Sequence, residues 1–453
     1  MPLIGSYTEI LDKGRTGPGV SVGSIQQSCY SKLFDSPLTA TSERLYRVYR
    51  GYIANHPRWE AADDQRSLHR GSVRVVDGSN IRFVPKTNER SRMICVEPTL
   101  NSFFQLGVGA IFEDRLKSIG IDLSTQPVKN RRLARIGSIR GSYSTIDLSS
   151  ASDSISLKLC ARILPKWLYE LLMEVRSPFS KYNGQMIQLQ MMSTMGNGFT
   201  FPLQTIIFAC IVRSVYRLLD LKVDGGLTPN YGVFGDDIIC KSLAFNRVIR
   251  LLHLCGFKPN PRKTFSEGPF RESCGADWFT GRYCRPVYIK YTASGEDTHV
   301  AINLLNRWSA LTSIALPRAV QYLMSCLGRI YYVPFTESDD AGVKVPFHLL
   351  DRPKFRFGSP VYSYRQVVPS RISVDCEGNF RYPRGYRRRF KLNPHGLFLS
   401  FLRGELVNGV LTIRHNDSIY RTKRRSIPFW DYAGQSIRSD GMRMEWRRWE
   451  TAV

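Results

Sequence analysis

Residues 231–240, YGVFGDDIIC, are the stretch that decides the fold of this chain. β-prone apolar residues flank two adjacent carboxylates, Asp236 and Asp237, and Gly235 before them supplies the freedom that a tight turn needs. The pattern predicts a β-hairpin with both acids at its tip. Carboxylate oxygens only accept, so this tip suits a hard divalent cation such as Mg²⁺. Taken alone, however, the stretch is better explained as a surface turn with solvated acids.

The surrounding sequence predicts the order strand, helix, helix, hairpin, helix, strand, which is that of a βαββαβ layer. A strand over 144–148 precedes a helix that Pro165 should break. A second helix runs from near Pro202 to near Leu219, and a third over 244–255 is stopped by Gly256. Upstream, the sequence predicts a helix over 102–116 and a hairpin that joins 73–76 to 81–84.

A third carboxylate, Asp147, falls at the end of the strand predicted over 144–148. Two-metal transfer of a nucleotidyl group needs carboxylates from different strands at one edge of a sheet. Asp147 and Asp236 are suited to this, because the chain between them is long enough for two helices. On its own, Asp147 is better explained as a helix-capping acid, since Ser149 and Ser150 follow it.

The chain is strongly basic, with 64 Lys and Arg against 38 Asp and Glu and a net charge of +26 over 453 residues. Such an excess predicts a polyanionic partner, with nucleic acid as the first candidate. Half of the charge lies in 352–453, where aromatic residues interleave with basic ones, a mixture that suits single-stranded RNA. The predicted RNA contacts are Arg381, Arg384, Arg387, Arg388, Arg389 and Lys391. A basic tail docked on the protein itself is an equally good interpretation.

Cysteine usage and apolar patterning predict a soluble protein in a reducing compartment. The ten cysteines show no CxxC spacing, so we expect free thiols and no structural zinc. The first residues lack the apolar core of a signal peptide. The longest apolar stretch, 199–212, is too short to span a bilayer.

Several long segments resemble, in order, the motifs of RNA-phage (levivirus) replicase catalytic (beta) subunits. They are IDLSSASDSIS (146–156), STMGNGFTFPLQTIIFA (193–209), VFGDDII (233–239) and RKTFSEGPFRESCGA (262–276). Residues 84–116 resemble the basic fingers motif and its continuation, and INLLNRW (302–308) is also similar. The resemblance extends over 84–320.

This resemblance implies an α+β right-hand polymerase, with fingers, palm and thumb and a βαββαβ palm. The implied divisions are 1–139 for the N-terminal region and fingers, 140–285 for the palm with a fingers insertion near 176–192, 286–350 for the thumb, and 351–453 for the basic C-terminal region. The implied activity is RNA-directed RNA polymerisation, which replicates the single-stranded RNA genome of a phage.

The resemblance also implies the residues at the reacting centre. Asp147 and Asp236 would hold two Mg²⁺ or Mn²⁺ ions, with Asp237 as the neighbouring acid and Leu148 lending its carbonyl. Lys263 matches the lysine proposed in many polymerases as general acid to the leaving pyrophosphate. An ordinary phosphate-contacting or surface lysine is nearly as good an interpretation of Lys263.

A second implied set binds the nucleotide. Asn197, beside Gly196 in the glycine loop, matches the residue that senses the ribose 2′-hydroxyl. Many RNA polymerases carry a second acid five residues after the first. In this chain that position is Ser152 and the acid is Asp153, so both are candidates to face the ribose.

The implied triphosphate contacts are basic residues of the fingers motif. They are Lys86, Arg90 and Arg92. A guanidinium fork pairs bidentately with phosphate oxygens, so arginine is chemically apt there. The bland alternative is a solvated basic loop.

Two other functions stay open from the sequence. A reverse transcriptase shares the palm, although Asn197 and Gly235 before the acid pair disfavour it. A catalytically inactive RNA-binding protein would keep the basic surface without metal-dependent synthesis. For the polymerase, the resemblance implies an RNA template, ribonucleoside triphosphates, the host elongation factors Tu and Ts and a ribosomal protein as partners, in the cytoplasm of an infected bacterium and without a membrane.

Overall fold

The computed structural model describes residues 6–24, 26–86, 90–224, 229–346, 354–356, 359–374, 380–381, 387–388, 393–407, 410–411, 419–428 and 430. These residues form two compact units. The first unit contains the described residues up to Arg282 and those between 389 and 413. The second contains the described residues of 283–375, 380–388 and 414–453.

The first unit mixes helices and strands. Its helices are α1 (Tyr7–Asp12), α2 (Glu43–Ile53), α3 (Pro57–Arg70), α4 (Thr99–Ser118), α5 (Gln126–Arg140), α6 (Leu157–Ile163), α7 (Lys166–Val175), α8 (Thr200–Leu218) and α9 (Phe245–Leu254). Its strands up to the boundary are β1 (Leu38–Ala40), β2 (Val73–Val75), β3 (Gly78–Pro85), β4 (Ser91–Val96), β5 (Tyr143–Ile146), β6 (Leu148–Ser149), β7 (Phe179–Tyr182), β8 (Gln185–Gln188), β9 (Gly232–Phe234), β10 (Asp237–Lys241), β11 (Lys258–Pro259), β12 (Phe270–Ser273), β13 (Ala276–Phe279) and β14 (Arg282–Tyr283).

The second unit is built from α10 (Gly295–Thr312), α11 (Pro317–Ser325) and short strands. These strands are β15 (Tyr332–Val333), β16 (Val343–Lys344), β17 (Lys354–Arg356), β18 (Ser359–Pro369), β19 (Ser373–Val374), β20 (Phe380–Arg381) and β21 (Arg387–Arg388), and β24 (Tyr420–Ile427) pairs with β18. Between them in sequence, α12 (Pro394–Leu402), β22 (Leu406–Val407) and β23 (Val410–Leu411) belong to the first unit. The core of the second unit packs Ile302 and Val333 around the buried indole of Trp430.

The predicted βαββαβ order is present in the first unit. It runs β5, then α6 to α8, then the β9–β10 hairpin, α9 and β11. Strand β10 is the centre of a three-stranded antiparallel sheet, with β5 on one side and β9 on the other. Strand β11 pairs with β6, which directly continues β5. The predicted break at Pro165 is also present, because α6 ends at Ile163 and α7 begins at Lys166.

Helix α8 is the long core helix of this layer. It packs against α4, α9 and β9, and it is longer than the apolar stretch that the sequence suggested. Among the described residues, it is the one helix long and apolar enough to cross a membrane by length and composition. Most of that apolar window, 61%, is buried within the protein, as is typical of a core helix.

The predicted hairpin between 73–76 and 81–84 is wrong. Strand β2 pairs in parallel with β1, with Val73 opposite Leu38. Strand β3 is instead an inner strand, antiparallel to β4 and parallel to β7, in a sheet of order β4–β3–β7–β8. One edge of β3 is therefore taken by β4, the next strand along the chain, and the other by the distant β7.

The segment after residue 392 returns to the N-terminal part of the first unit, where α12 packs on α3. Asn393 is buried, and its Nδ2 donates to the backbone carbonyls of Phe34 at 3.2 Å and Ala62 at 2.7 Å. Its Oδ1 accepts the N–H of Gly396, which caps α12. One side chain thus joins the two ends of the described first unit.

We predict that Asn393→Leu lowers the free energy of unfolding by about 2–3 kcal/mol, because it removes a buried donor to two carbonyls and the acceptor that caps α12. Urea unfolding followed by circular dichroism measures this change. His395→Gln, an exposed position on the same helix, is the matched control and should leave the midpoint unchanged. Equal midpoints for both variants would contradict the prediction.

Candidate active site

The acidic hairpin and the end of β5 meet at one edge of the sheet. Ile238 of β10 pairs with Ile146 of β5, so extending this register by one residue places Asp147 opposite Asp237. In the hairpin, Asp237 pairs with Phe234, which leaves Gly235 and Asp236 as the turn. The structure therefore brings the three sequence-predicted aspartates together.

Gly235 fixes the direction of the turn. Its φ is +60°, a conformation that favours glycine. A Cβ atom there would lie 2.4 Å from the Phe201 ring and 2.7 Å from the Gln204 amide nitrogen. The Gly235 N–H also donates to the Thr205 hydroxyl at 3.0 Å. The acidic turn is therefore held directly on the first turns of α8.

Asp147 is held by the segment that follows α9. The Asn260 Nδ2 donates to Asp147 Oδ2 at 3.0 Å, and the Asn260 N–H donates to the Asp147 carbonyl at 2.8 Å. Lys263 Nζ lies 4.0 Å from the other carboxylate oxygen. Burial raises the pKa of Asp147, and the nearby Asp236 and Glu272 carboxylates add to this, while Lys263 opposes it.

Asp237 faces away from solvent toward β12. Its Oδ1 accepts the Cys274 N–H at 3.1 Å and the Ser273 hydroxyl at 3.3 Å. Burial raises its pKa to about 6, the hydrogen bond from Cys274 opposes the rise, and the Asp236 and Asp147 carboxylates increase it. Asp237 is thus a positioned acid at the back of the group, whose charge its neighbours disfavour.

Basic side chains face the acids. Lys263 Nζ lies 3.4 Å from Glu272, and although burial alone would lower the pKa of this lysine, the Asp147 and Glu272 carboxylates raise it. The pKa of Lys86 is lowered by partial burial and by the charges of Arg92 and Lys263, against the pull of Asp147 and Asp236. Two of the predicted triphosphate contacts, Lys86 and Arg92, therefore lie within electrostatic range of one another, and Lys86 lies within range of the acids.

The three basic residues of the fingers motif lie on the β3–β4 hairpin. The Lys86 N–H donates to the Arg90 carbonyl at 2.8 Å and closes the base of its turn. Arg92 follows on β4, opposite Val84. All three are exposed, so they form a basic surface accessible to a polyanion.

The glycine loop lies against β4. Gly196 has a φ of +116°, and a Cβ atom there would lie 2.2 Å from the Cys95 carbonyl oxygen. Asn197 is 7% exposed, and its Oδ1 accepts the Phe199 N–H at 3.1 Å at the start of α8. Burial raises the pKa of Asp153, although its carboxylate accepts the Met195 N–H. The structure thus brings Asp153 to the glycine loop.

The remaining predicted residues take varied positions. Leu148 is buried in β6, and Ser152 lies in a short 3₁₀ turn with its hydroxyl 3.5 Å from the Asp153 carboxylate. Arg381 is exposed on β20, and the backbones of Arg387 and Arg388 form the strand β21 that pairs with it. Arg384, Arg389 and Lys391 lie outside the described residues.

Sequence reasoning missed two residues at the centre. Asn260 holds Asp147 through two hydrogen bonds, and Glu272 pairs with Lys263. No local pattern indicates Asn260, since its role depends on the β11–β6 pairing.

The donor chemistry of the site fits a divalent cation. Aspartate oxygens are the ligands that Mg²⁺ prefers, and the raised pKa values of Asp147 and Asp237 show carboxylates whose mutual repulsion a cation would relieve. In the described part of the chain, no group of three or more His, Cys, Asp or Glu side chains is close enough to hold an ion by itself. This fits Mg²⁺, which commonly takes one or two carboxylates and completes its shell with water and substrate phosphates.

Two concave surfaces of the first unit lie away from the acids. One of about 820 Å³ is lined by residues of β2, β3 and the β7–β8 turn, and one of about 700 Å³ lies between α1, α2 and α7. Neither includes an aspartate of the hairpin.

Carboxylates from two strands at one edge of a βαββαβ layer define the palm of a template-directed polymerase. The family model described as "RNA replicase, beta-chain" matches residues 12–347, and the chain belongs to this family. Membership and the observed strand order confirm the predicted fold class, an α+β right-hand polymerase with a βαββαβ palm.

Curated relatives are similar over the central part of the chain. The RNA-directed RNA polymerase beta chain of Enterobacteria phage fr is 46% identical over 250 residues, which is 54% of this chain and 44% of that protein. The beta subunit of Escherichia virus Qbeta is 44% identical over 238 residues, 52% of this chain and 39% of its own length. That of Qbeta virus strain MX1 is 31% identical over 379 residues, with 77% and 64% covered. The chain thus spans less than half of the first two relatives.

Solved structures show weaker similarity. The RNA-dependent RNA polymerase of bacteriophage phi12 gives a TM-score of 0.39 at 12% identity, over 70% of this chain and 62% of the other. A foamy viral protease–reverse transcriptase gives 0.30 at 14% identity, over 71% and 46%. Neither similarity is high enough to carry an inference about this chain.

We predict that Asp237→Asn stabilises the metal-free protein increasingly as the pH rises from about 4 to about 6. The raised pKa of Asp237 means that the folded protein binds this proton more tightly than the unfolded chain, so ionisation through this range costs folding stability that the neutral amide does not lose. The difference should approach roughly 3 kcal/mol by neutral pH. Urea unfolding in EDTA at several pH values measures it, and a pH-independent difference would contradict the prediction.

Proposed function

We propose that this chain is an RNA-directed RNA polymerase that replicates the single-stranded RNA genome of an RNA phage. The observation that carries the proposal is the convergence of Asp147, Asp236 and Asp237 at one edge of the sheet, faced by Lys263 and Lys86. Acids that repel one another beside cations suit a site for divalent metal and triphosphate together.

Asp147 and Asp236 are the proposed metal ligands, with the Leu148 carbonyl as an accessory ligand and Asp237 as the acid behind them. Two Mg²⁺ or Mn²⁺ ions, when bound, would activate the 3′-hydroxyl and neutralise charge on the leaving pyrophosphate. The chain itself supplies orientation: Asn260 fixes one oxygen of Asp147, and the Cys274 N–H fixes Asp237. The hairpin is held on α8 through Gly235, so the acids need little reorganisation on binding.

Basic residues would bind the triphosphate. Lys86 and Arg92 lie on the exposed hairpin beside the acids, with Arg90 at its turn. Lys263 holds its proton firmly next to Asp147 and Glu272, which suits a phosphate contact. Protonation of the leaving pyrophosphate by Lys263 requires that binding of the nucleotide separate it from these acids.

Selection of ribonucleotides is assigned to the glycine loop. Asn197 uses its Oδ1 to accept the Phe199 N–H just before α8, which leaves its Nδ2 as the group that we propose to bind the ribose 2′-hydroxyl. Asp153 accepts the Met195 N–H and so supports the loop, with Ser152 next to it. A reverse transcriptase, the alternative within the same fold, would show no preference for ribonucleotides.

The proposed division of labour follows the right-hand arrangement. Residues 1–139 and the insertion near 176–192 act as fingers, 140–285 as palm, 286–350 as thumb, and 351–453 as a basic region that binds RNA. The insertion contributes β7 and β8 to the sheet of β3 and β4, which supports its assignment to the fingers. Proposed partners are the host elongation factors Tu and Ts and a ribosomal protein, in the cytoplasm of the infected bacterium.

The test of this function is incorporation of labelled ribonucleotide on a primed RNA template with Mg²⁺, with and without bacterial elongation factors Tu and Ts. We expect Asp236→Asn to reduce synthesis by at least about 10³-fold, because it removes a metal ligand. Asp220→Asn is the matched control, an exposed acid just beyond the opposite end of α8, and should retain activity.

Each result of this assay has a definite meaning. Synthesis abolished by Asp236→Asn alone supports the polymerase and the metal role together. RNA binding without synthesis under any condition would favour the inactive RNA-binding protein. Equal use of deoxyribonucleotides would favour the reverse transcriptase, and full activity without the elongation factors would remove the need for host partners.

We further predict that the basic C-terminal region contributes to RNA affinity through phosphate contacts. Replacing Arg381, Arg387 and Arg388 with Gln should reduce the slope of log affinity against log salt by about 2, since each phosphate contact contributes about 0.7 on single strands. Fluorescence anisotropy of labelled RNA over a range of KCl concentrations measures the slope. The matched control replaces three exposed basic residues of the α6–α7 region, Lys158, Arg162 and Lys166. An unchanged slope in the first variant would indicate a basic segment that docks on the protein instead.

A further inference from the structure

A buried amide on α4, Gln105, connects the glycine loop to the helices and strands around it. Gln105 has no solvent exposure. Its Oε1 accepts the Gly198 N–H at 3.3 Å, and its Nε2 donates to Glu97 Oε2 at 3.2 Å and to the Val175 carbonyl at 2.9 Å. The amide therefore uses its acceptor on the loop and both of its donors on the surrounding frame.

Glu97 anchors the frame side of this connection. It is 5% exposed, and the same oxygen that Gln105 contacts also accepts the Ser177 hydroxyl at 2.6 Å. Arg176, beside Ser177, is itself buried and donates to the Leu189 carbonyl at 2.7 Å. The end of β4, the middle of α4 and the entry to β7 are thus joined by one buried polar network.

The glycine loop packs closely against α4 and β4. A Cβ atom on Gly198 would lie 2.7 Å from the Leu106 backbone nitrogen, and one on Gly109 would lie 2.6 Å from the Gly198 carbonyl oxygen. The Cys95 N–H donates to the Met195 carbonyl at 2.8 Å. The backbone on both sides of Asn197 is therefore fixed by direct contacts with α4 and β4.

The same contacts relate the ribose loop to the triphosphate strand. Cys95, which bonds to Met195, lies three residues after Arg92 on β4. The Met195 N–H is bound by Asp153, so one peptide segment joins β4 to the turn that follows Asp147. Gln105 contacts the loop from α4. A substitution of Gln105 can therefore shift the loop without removing a group that touches the nucleotide.

We propose that Gln105 is a positioning residue that sets the glycine loop for ribose selection. Its hydrogen bond to Gly198 holds the backbone from which Asn197 projects, and its bonds to Glu97 and Val175 keep the amide from rotating. This inference rests on the proposed polymerase function and names a determinant of its sugar specificity. Loss of Gln105 weakens discrimination between ribo- and deoxyribonucleotides, while the metal-binding acids stay in place.

The experiment compares kcat/KM for a ribonucleoside triphosphate and its 2′-deoxy counterpart in single-nucleotide incorporation. Gln105→Met keeps the length of the side chain and removes its hydrogen bonds. We expect the ribo-to-deoxy ratio to fall by about fivefold to tenfold, with the change mainly in KM for the ribonucleotide.

Asn101→Leu is the matched control on the same helix. Asn101 lies one turn before Gln105, is fully buried and donates to the same Val175 carbonyl at 3.0 Å and to the Thr41 hydroxyl at 2.7 Å. Within the described residues its side chain bonds to Thr41 and Val175 and not to the glycine loop. Its loss should lower thermal stability to a similar degree and leave the sugar ratio unchanged.

Gly198→Ala tests the same contact from the loop side, since the added Cβ must move the loop away from α4. A lower ratio in Gln105→Met but not in Asn101→Leu supports the inference, and a matching fall in Gly198→Ala shows that the position of the loop sets the ratio. An unchanged ratio in the active Gln105 variant, or an equal fall in Asn101→Leu, overturns it and leaves the polymerase intact. Failure of the unsubstituted chain to synthesise RNA would overturn the proposed function, and this inference with it.

Discussion

The site depends on the antiparallel register between β5 and β10. That register sets the end of one strand against the start of the other and so forces Asp147 and Asp237 toward each other, with Asp236 in the adjoining turn. Burial raises the pKa of both Asp147 and Asp237, and the neighbouring carboxylates raise it further, so the ionised forms destabilise the folded state. The sheet tolerates the arrangement because Ile238 and Ile239, which follow the acids on β10, are fully buried.

The chain offsets this repulsion in two ways, with hydrogen-bond donors and with lysine side chains. Buried or partly buried donors, from Asn260 and from the Cys274 backbone, orient individual carboxylate oxygens. Lysines at the rim, Lys263 and Lys86, lower the negative potential without closing the site. The result is an acidic centre with a basic margin. Acids suit divalent ions and basic side chains suit triphosphates, so this arrangement suits both together.

Three glycines let the acidic turn and the glycine loop pack directly against helices and strands. Close backbone approaches at Gly235, Gly196 and Gly198 place the acidic turn on α8 and the glycine loop on β4 and α4. Each approach is possible only because a side chain is missing, so these glycines act as packing residues as well as turn residues. The geometry of the centre is therefore inherited from helix and strand positions rather than from loop conformations.

Much of the palm could be predicted from sequence because its signals are local. The acidic hairpin, the break at Pro165 and the end of α9 before Gly256 all follow from turn and cap chemistry within a few residues. The hairpin predicted from 73–76 and 81–84 failed because 73–75 pair with β1, which lies earlier in the chain, and 81–84 pair with β4, the strand that follows. Local alternation shows that a strand exists and does not show which strand it pairs with.

The residues of the candidate site also fall into two groups, those visible in the sequence and those identified only by the structure. The sequence by itself determined the kinds of residue at the centre, since paired acids in a tight turn, a glycine loop and a basic hairpin are each visible as short patterns. Only the tertiary structure decided the supporting residues Asn260, Glu272 and Gln105, because each acts on a residue that is distant in sequence. Side-chain chemistry is written in single residues, whereas the orientation of that chemistry depends on contacts that form only when the chain folds.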